Sequence, residues 1–190
     1  MKERIEDKLL ITKNNLFDFK KWINNCGFRQ FSNRKINSIY FDNKGFDAYL
    51  NSIEGVTPRK KIRLRYYNND NKIFNFEIKS TTATTRFKSV TNKIKINKIL
   101  KFGYYDNLYG MCKKKTKVSY ERCYFTNEKF RITIDTNIVY TKKNFKINDK
   151  NIIVELKTEP KYKQDIIDSF PFLRQRFSKY GNSIKLLYGL

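Results

Sequence analysis

The sequence predicts an α+β fold: an antiparallel sheet closed into a barrel whose charged faces point inward, flanked by helices. Three observations carry that prediction. Apolar and polar residues alternate with period two through segment after segment, as half-buried strands require. The polar faces of these segments are charged rather than merely polar. Finally, 190 residues with three Pro and seven Gly contain no Ser/Pro/Gly-rich linker and no repeat, so one domain, 1–190, is expected.

The elements read in order as follows. Residues 4–9 form a strand with Arg4, Glu6 and Lys8 on one face. A helix follows, with Thr12 as cap and Leu16, Phe17, Phe19, Trp22 and Ile23 at near-helical spacing. Strands are read at 35–41, 60–67, 72–80, 86–91, 117–125, 130–136 and 151–157, and a short helix at 45–53 closed by Gly55. In 60–67, Ile62, Leu64 and Tyr66 oppose Lys61, Arg63 and Arg65; in 72–80, Phe74, Phe76 and Ile78 oppose Glu77 and Lys79. The same division sets Ile132 and Ile134 against Arg131, Thr133 and Asp135, and Ile152, Val154 and Leu156 against Glu155 and Lys157. The tail 161–180 reads as helix on the stripe Ile166, Ile167, Phe170, Leu173 and Phe177. The run Lys113-Lys114-Lys115 reads as a solvated loop between halves.

Charge narrows the function. The chain carries 41 Lys+Arg against 18 Asp+Glu, a net charge of +23, together with 16 Phe and 13 Tyr. So many aromatics argue for a packed domain and against a disordered polycation, and the partner of such a domain is an anion. Thirty Lys and 21 Asn are what an AT-rich genome produces whatever the function, so the 11 Arg are the more informative cations. Six of them, Arg4, Arg63, Arg65, Arg86, Arg122 and Arg131, fall on strand segments. Histidine is absent, which removes Ser-His-Asp and Cys-His nucleophiles and zinc sites that need imidazole. Cys26, Cys112 and Cys123 are odd in number and without C-x-x-C spacing, which fits a reducing cytoplasm. No apolar run approaches the roughly 20 residues of a membrane helix.

Charged strand faces turned inward make a cationic tunnel containing a few carboxylates. Unpaired like charges there are costly to desolvate, so the tunnel implies a bound anion and water. A linear phosphate chain suits it, because guanidinium forks match phosphate oxygens and Lys adds point charges. Carboxylates cannot bind phosphate directly; holding a divalent cation is their natural task.

Several motifs, in their order along the chain, resemble the VTC (vacuolar transporter chaperone) catalytic domains of the triphosphate tunnel metalloenzymes. They are Arg4-Ile5-Glu6-Asp7-Lys8, Ser38-Ile39-Tyr40-Phe41-Asp42, Lys61-Ile62-Arg63-Leu64-Arg65-Tyr66-Tyr67, Phe76-Glu77-Ile78-Lys79, Tyr120-Glu121-Arg122, Arg131-Ile132-Thr133-Ile134-Asp135, Val154-Glu155-Leu156-Lys157 and Ser178-Lys179-Tyr180. The resemblance implies an eight-stranded tunnel and synthesis of inorganic polyphosphate from ATP with Mn2+ or Mg2+. It places Lys8, Arg63, Arg65, Lys79, Arg122 and Arg131 on the triphosphate path and Lys179 near a tunnel mouth. Lys61, Arg86, Lys88 and Lys157 join them as phosphate contacts. Arg63, Arg65, Arg131 and Glu155 are the expected catalytic groups, with Glu155 holding metal and Glu77 either a second ligand or a salt-bridge partner. Arg4 stands where the wider superfamily often has Glu, and the Thr-rich stretch 81–85 aligns poorly.

Two other readings stay open. The same tunnel with water as acceptor is a triphosphatase, and a +23 domain rich in aromatics could be a non-catalytic binder of polyphosphate or RNA. The familiar RNA-binding signatures are missing, so nucleic acid is expected to bind only non-specifically.

Overall fold

The computed structural model describes residues 5–68, 70, 73–162 and 175–190. Among them are ten strands and four α-helices: β1 (Ile5–Ile11), α1 (Asn15–Asn25), β2 (Arg29–Asp42), α2 (Asp47–Glu54), β3 (Arg59–Tyr67), β4 (Asn75–Thr81), β5 (Arg86–Thr91), α3 (Ile96–Phe102), β6 (Tyr104–Asp106), β7 (Gly110–Thr126), β8 (Phe130–Lys142), β9 (Phe145–Asp149), β10 (Ile152–Thr158) and α4 (Lys179–Tyr188). Eight strands lie on one hydrogen-bonded path, β1-β10-β8-β7-β2-β3-β4-β5, with β6 added to β7 and β9 to β8. The path ends at β1 and β5, so among the described residues hydrogen bonds do not close it into a ring.

The chain divides into two compact units, Met1–Lys35, Tyr120–Ile138 and Asn148–Phe177 forming the first and Ile36–Ser119, Val139–Ile147 and Ser178–Leu190 the second. Strands β2, β7, β8 and β9 contribute residues to both.

In the first unit β1, β10 and β8 pair antiparallel, with Leu9 opposite Val154 and Val154 opposite Ile134. Their shared face buries Leu9, Ile11, Val154, Leu156, Ile132 and Ile134 against α1. The helix turns Phe19 and Ile23, one turn apart, into this core, while Leu16 and Trp22 cover its margin. Phe17, read as part of the apolar stripe, is 75% exposed, because its position rotates it off the face that Phe19 and Ile23 share. The N-cap of α1 is Asn14 and not Thr12 as expected; the Thr12 hydroxyl, two residues earlier, accepts from the Asn15 amide at 3.4 Å.

In the second unit the apolar face of β2, β3 and β4 (Ile39, Phe41, Ile62, Leu64, Phe76) packs against Ile99 of α3 and Ala48 of α2. Helix α3, which the pattern did not reveal, ends at Gly103; there φ is +95° and a Cβ would come within 2.5 Å of the Cys112 carbonyl oxygen. Strand β5 is exposed along its whole length. The Thr-rich stretch is the β4–β5 turn, closed by Thr82 N–H donating to the Thr85 carbonyl at 2.9 Å and Thr85 N–H donating to the Thr82 hydroxyl at 3.0 Å.

Three expectations need correcting. Lys113-Lys114-Lys115 is not a loop but part of β7, where Cys112, Thr116 and Val118 are buried, Lys113 and Lys114 are exposed, and the Lys115 ammonium lies 4.0 Å from the Phe46 ring centre. The strand read at 35–41 begins six residues earlier, at Arg29; the added residues are exposed apart from half-buried Ser32, and Phe31 is the one apolar side chain among them, so no alternation marks them. The tail helix does not run through 175–178: Ser178 is extended (φ −133°, ψ 112°), and its hydroxyl accepts from Gly181 N–H to start α4 at Lys179. Residues 163–174 of that expected helix, with Ile166, Ile167, Phe170 and Leu173, lie outside the described residues, as does Arg4.

Candidate functional site

The face of β2–β5 opposite the second unit's apolar core carries the first charge cluster. Pairing fixes it: Arg63 lies opposite Tyr40 on β2 and Glu77 on β4, Arg65 opposite Ser38, and Lys61 opposite Lys79, which in turn faces Lys88 on β5. Glu77 is buried. One of its oxygens accepts from Arg63 Nε at 2.6 Å and lies 3.8 Å from Arg65 NH1, and the other accepts from Lys88 Nζ at 2.7 Å. Burial pushes the Glu77 carboxyl up, but Arg63, Arg65 and Lys88 outweigh it and hold the group at about 2. Arg65 also donates to Ser38 Oγ at 3.2 Å, and Arg63 NH1 donates to the Tyr40 hydroxyl at 3.0 Å. Three cations thus surround one carboxylate.

Helix α4 supports this cluster. Tyr180 stacks on Tyr40 with ring centroids 4.9 Å apart, and its hydroxyl donates to Asp42 at 2.6 Å. Buried Asp42 also accepts from Ala48 and Tyr49 N–H at the start of α2, at 3.1 and 3.0 Å. The Lys61 ammonium donates to the Ser178 hydroxyl at 2.9 Å. Burial raises the Tyr40 phenol, but Arg63 and Arg65, with a further contribution from Lys179, bring it below its ordinary value. Lys79 and Arg86 are exposed on β4 and β5.

The first unit carries the second cluster, on the face away from α1. Buried Arg122 of β7 grips buried Asp135 of β8 with both arms of its guanidinium, at 2.5 and 2.7 Å. Burial opposes its charge, yet Tyr120, Asp135 and Glu155 raise Arg122 well above its usual value. Glu155 of β10 pairs more loosely: 3.3 Å to Lys157, 3.6 Å to Arg122 and 3.7 Å to Lys8. Lys8 also donates to the Phe177 carbonyl at 3.4 Å. Thr133 sits opposite Glu155, and its buried hydroxyl has no hydrogen-bond partner among the described residues. Arg131 is exposed opposite Lys157, its guanidinium carbon 5.0 Å from the Tyr124 ring centre.

Sequence reasoning reached thirteen of these side chains and missed the groups that hold them. Tyr40 stood only as a letter within a motif, yet its hydroxyl accepts from Arg63. Asp135 was noticed only as an acidic residue on a basic strand, and Asp42 and Ser178 only as letters within motifs. Alternation says which face a residue occupies, and it says nothing of partners on strands distant in sequence.

The donor set bears on a metal. Among the described residues no three His, Cys, Asp or Glu side chains gather as a cage. Both oxygens of Glu77 are taken by short bonds to Arg63 and Lys88. Glu155, with long ion-pair contacts and the unpartnered Thr133 hydroxyl opposite, offers hard oxygen donors. Such a set fits a divalent ion bound through one carboxylate and completed by substrate phosphates.

The family model of the VTC domain matches residues 3–117 and 105–188. No curated protein matches the sequence. Solved structures share the fold at low identity. A Pyrococcus horikoshii protein is 15% identical with a TM-score of 0.61, covering 97% of this chain and 99% of its own. A putative adenylate cyclase from Vibrio parahaemolyticus is 15% identical at 0.60, covering 97% and 98%. A putative adenylyl cyclase from Hippeastrum, described as having a dominant triphosphatase activity, is 14% identical at 0.57, covering 94% and 93%. No helix among the described residues is long and apolar enough to cross a membrane.

Proposed function

The chain belongs to the VTC domain family, and from that premise we propose that it catalyses phosphoryl transfer from a triphosphate, making inorganic polyphosphate from ATP. The observation that carries this reading is the charge excess at Glu77, where Arg63, Arg65 and Lys88 share one buried carboxylate. Each of these clustered cations costs desolvation energy that a bound anion recovers.

In this reading Arg63 and Arg65 bind phosphate oxygens, held in place by Glu77, Tyr40 and Ser38. Lys61, Lys79, Arg86, Lys88 and Lys179 add positive charge on the same unit. In the first unit Arg131, Lys157, Lys8 and Arg122 bind phosphate, and Asp135 fixes the Arg122 fork. Glu155 and Thr133 would hold Mn2+ or Mg2+, which when bound supplies charge to offset that on the transferring group. A terminal phosphate oxygen of the growing chain forms a bond to the γ-phosphorus as the β–γ bridging bond breaks and ADP leaves. The arginines stabilise charge spreading over the equatorial oxygens, and no strong protein nucleophile is needed.

Water as acceptor gives the second reading, a triphosphatase, favoured by the activity ascribed to the Hippeastrum protein of the same fold. Incubating the purified protein with ATP and Mn2+ separates the two. Polymer accumulating with ADP supports the polymerase, and orthophosphate without polymer supports the triphosphatase. ATP left intact under all metal conditions rejects both in favour of a polyanion binder. We place the protein in the cytoplasm in this scheme, where ATP and thiols coexist.

A further inference from the structure

The hairpin of β6 and β7 leaves apolar side chains in water that its own geometry keeps from turning inward. Tyr105 lies opposite Met111, Tyr104 opposite Cys112 and Asp106 opposite Gly110. Tyr104, Tyr109 and Cys112 pack on the second unit's apolar core, which consigns Tyr105 and Met111 to the outer side of the hairpin. Tyr105 is 65% exposed, Met111 50%, and Leu108, in the turn, 42%. The turn itself is fixed. Buried Asp106 accepts from Leu108 N–H at 2.9 Å with one oxygen and from Lys60 Nζ at 2.8 Å with the other, and the Tyr109 hydroxyl accepts from Lys60 N–H at 3.0 Å. Helix α3 ends beside this surface: a Cβ on Gly103 would lie 3.2 Å from the Met111 sulfur, and the preceding residue, Phe102, is again largely exposed.

Lysines rim the patch. Lys98, Lys101 and Phe102 share the outer face of α3 at spacings of three and four, with the Lys101 ammonium 5.2 Å from the Phe102 ring centre. Lys113, the next outward position after Met111 on β7, is exposed, as is Lys114. Residues 92–118 contain eight Lys and one acidic residue, Asp106, which is buried and paired with Lys60. No exposed carboxylate in this stretch offsets the lysines.

Whatever covers such a tip is negative at its surface and apolar just beneath. A second copy of the chain would set the same lysines against these. Strand β6, three residues long, is too short an edge to hold a peptide as an added strand. A bilayer with anionic headgroups meets both demands: the apolar side chains enter the boundary between headgroups and acyl chains while the lysine stems reach back to the phosphates.

We propose that the β6–β7 hairpin tip and the end of α3 dock the protein onto an anionic lipid surface, lying on the membrane without crossing it. This goes beyond the phosphoryl-transfer reading and uses none of the residues assigned to it.

Any anionic vesicle attracts a chain of net charge +23, so the decisive variants keep the charge. Co-sedimentation at physiological salt with vesicles of equal parts phosphatidylcholine and phosphatidylglycerol should show binding, and Leu108→Gln combined with Met111→Gln should weaken it roughly tenfold. Both side chains are about half exposed, so the core is untouched. Leu108→Trp reads insertion directly: adding the vesicles should shift its emission to the blue by more than that of the wild type, whose single tryptophan is Trp22 on α1. Equal affinity of the wild type and the double Gln variant overturns the proposal, because net charge alone then accounts for binding, and so does a Leu108→Trp shift no larger than the wild type's. Wild-type protein that leaves the vesicles unbound also overturns it, and assigns the patch to an acidic protein instead.

Discussion

Glu77 shows how one carboxylate organises an anion site without touching the anion. Its carboxyl is held at about 2, below its usual 4.5, by Arg63, Arg65 and Lys88 against the effect of burial. A depressed carboxyl contributes stability that is present above about pH 4.5 and is lost as pH falls through about 2. Glu77→Gln should therefore flatten the acid limb of a stability–pH profile over that window. It should also lower stability at pH 7 by on the order of 2 kcal/mol, because the cations it leaves keep their charge and part of it is screened. Chemical denaturation at several pH values measures both effects. Repulsion among the neighbouring cations would suggest that Arg63→Ala stabilises the fold; its short bond to Glu77 predicts instead a small loss of stability with a large loss of phosphoryl transfer. Glu155→Gln tests the metal assignment. Mn2+-dependent turnover should collapse while metal-free tripolyphosphate affinity stays similar or rises, and unaltered Mn2+ dependence would remove Glu155 from the proposed machinery.

At the scale of elements, α4 is the brace of the second unit's charged face. Its stripe of Tyr180, Ser183, Ile184 and Leu187, at spacings of three and four, is buried, and its first turn delivers Ser178 to Lys61 and Tyr180 to Asp42 and Tyr40. Tyr180→Phe keeps the ring stack and deletes one donor to a buried carboxylate, which should cost about 1–2 kcal/mol in thermal or urea unfolding. Ser178→Ala should cost about 1 kcal/mol through the lost cap. Tyr180→Phe should also lower kcat more than it raises KM if Tyr40 depends on it to orient Arg63. Equal binding and turnover in that variant would confine α4 to a structural role.

For the molecule as a whole, +23 charges attract any polyanion, and salt sorts them. Exposed lysines are screened within a Debye length of about 8 Å at physiological ionic strength, whereas buried Arg65 and Arg122 are shielded far less. Single-stranded RNA binding should therefore fall steeply between 50 and 500 mM salt, roughly a hundredfold or more, and tripolyphosphate binding should fall less. Parallel titrations over that range, with parallel losses for both ligands, would favour a surface polyanion binder over a dedicated triphosphate site.

The strands were legible because alternation is local: Lys61 to Tyr66 declares its two faces without reference to any other segment, and so do Arg131 to Asp135 and Ile152 to Lys157. Helix α2 announced its end with Gly55, whose φ of +83° other residues avoid. Helix α3 and the start of β2 were not legible, the one being short and lysine-rich and the other exposed. Within the described part of the tail, 175–178 was misread as helix because the apolar stripe in the sequence outweighed a single capping hydroxyl at Ser178. Residue type and period thus determined which side chains carry charge and on which face, and the ordered motifs determined the family. Tertiary structure alone decided who meets whom: Glu77 with Arg63, Arg65 and Lys88, Arg122 with Asp135, and Tyr40 between Arg63 and Tyr180. Register between strands and the docking of α4 set those partners, and both are settled by the packing of residues far apart in the chain, which no local pattern encodes.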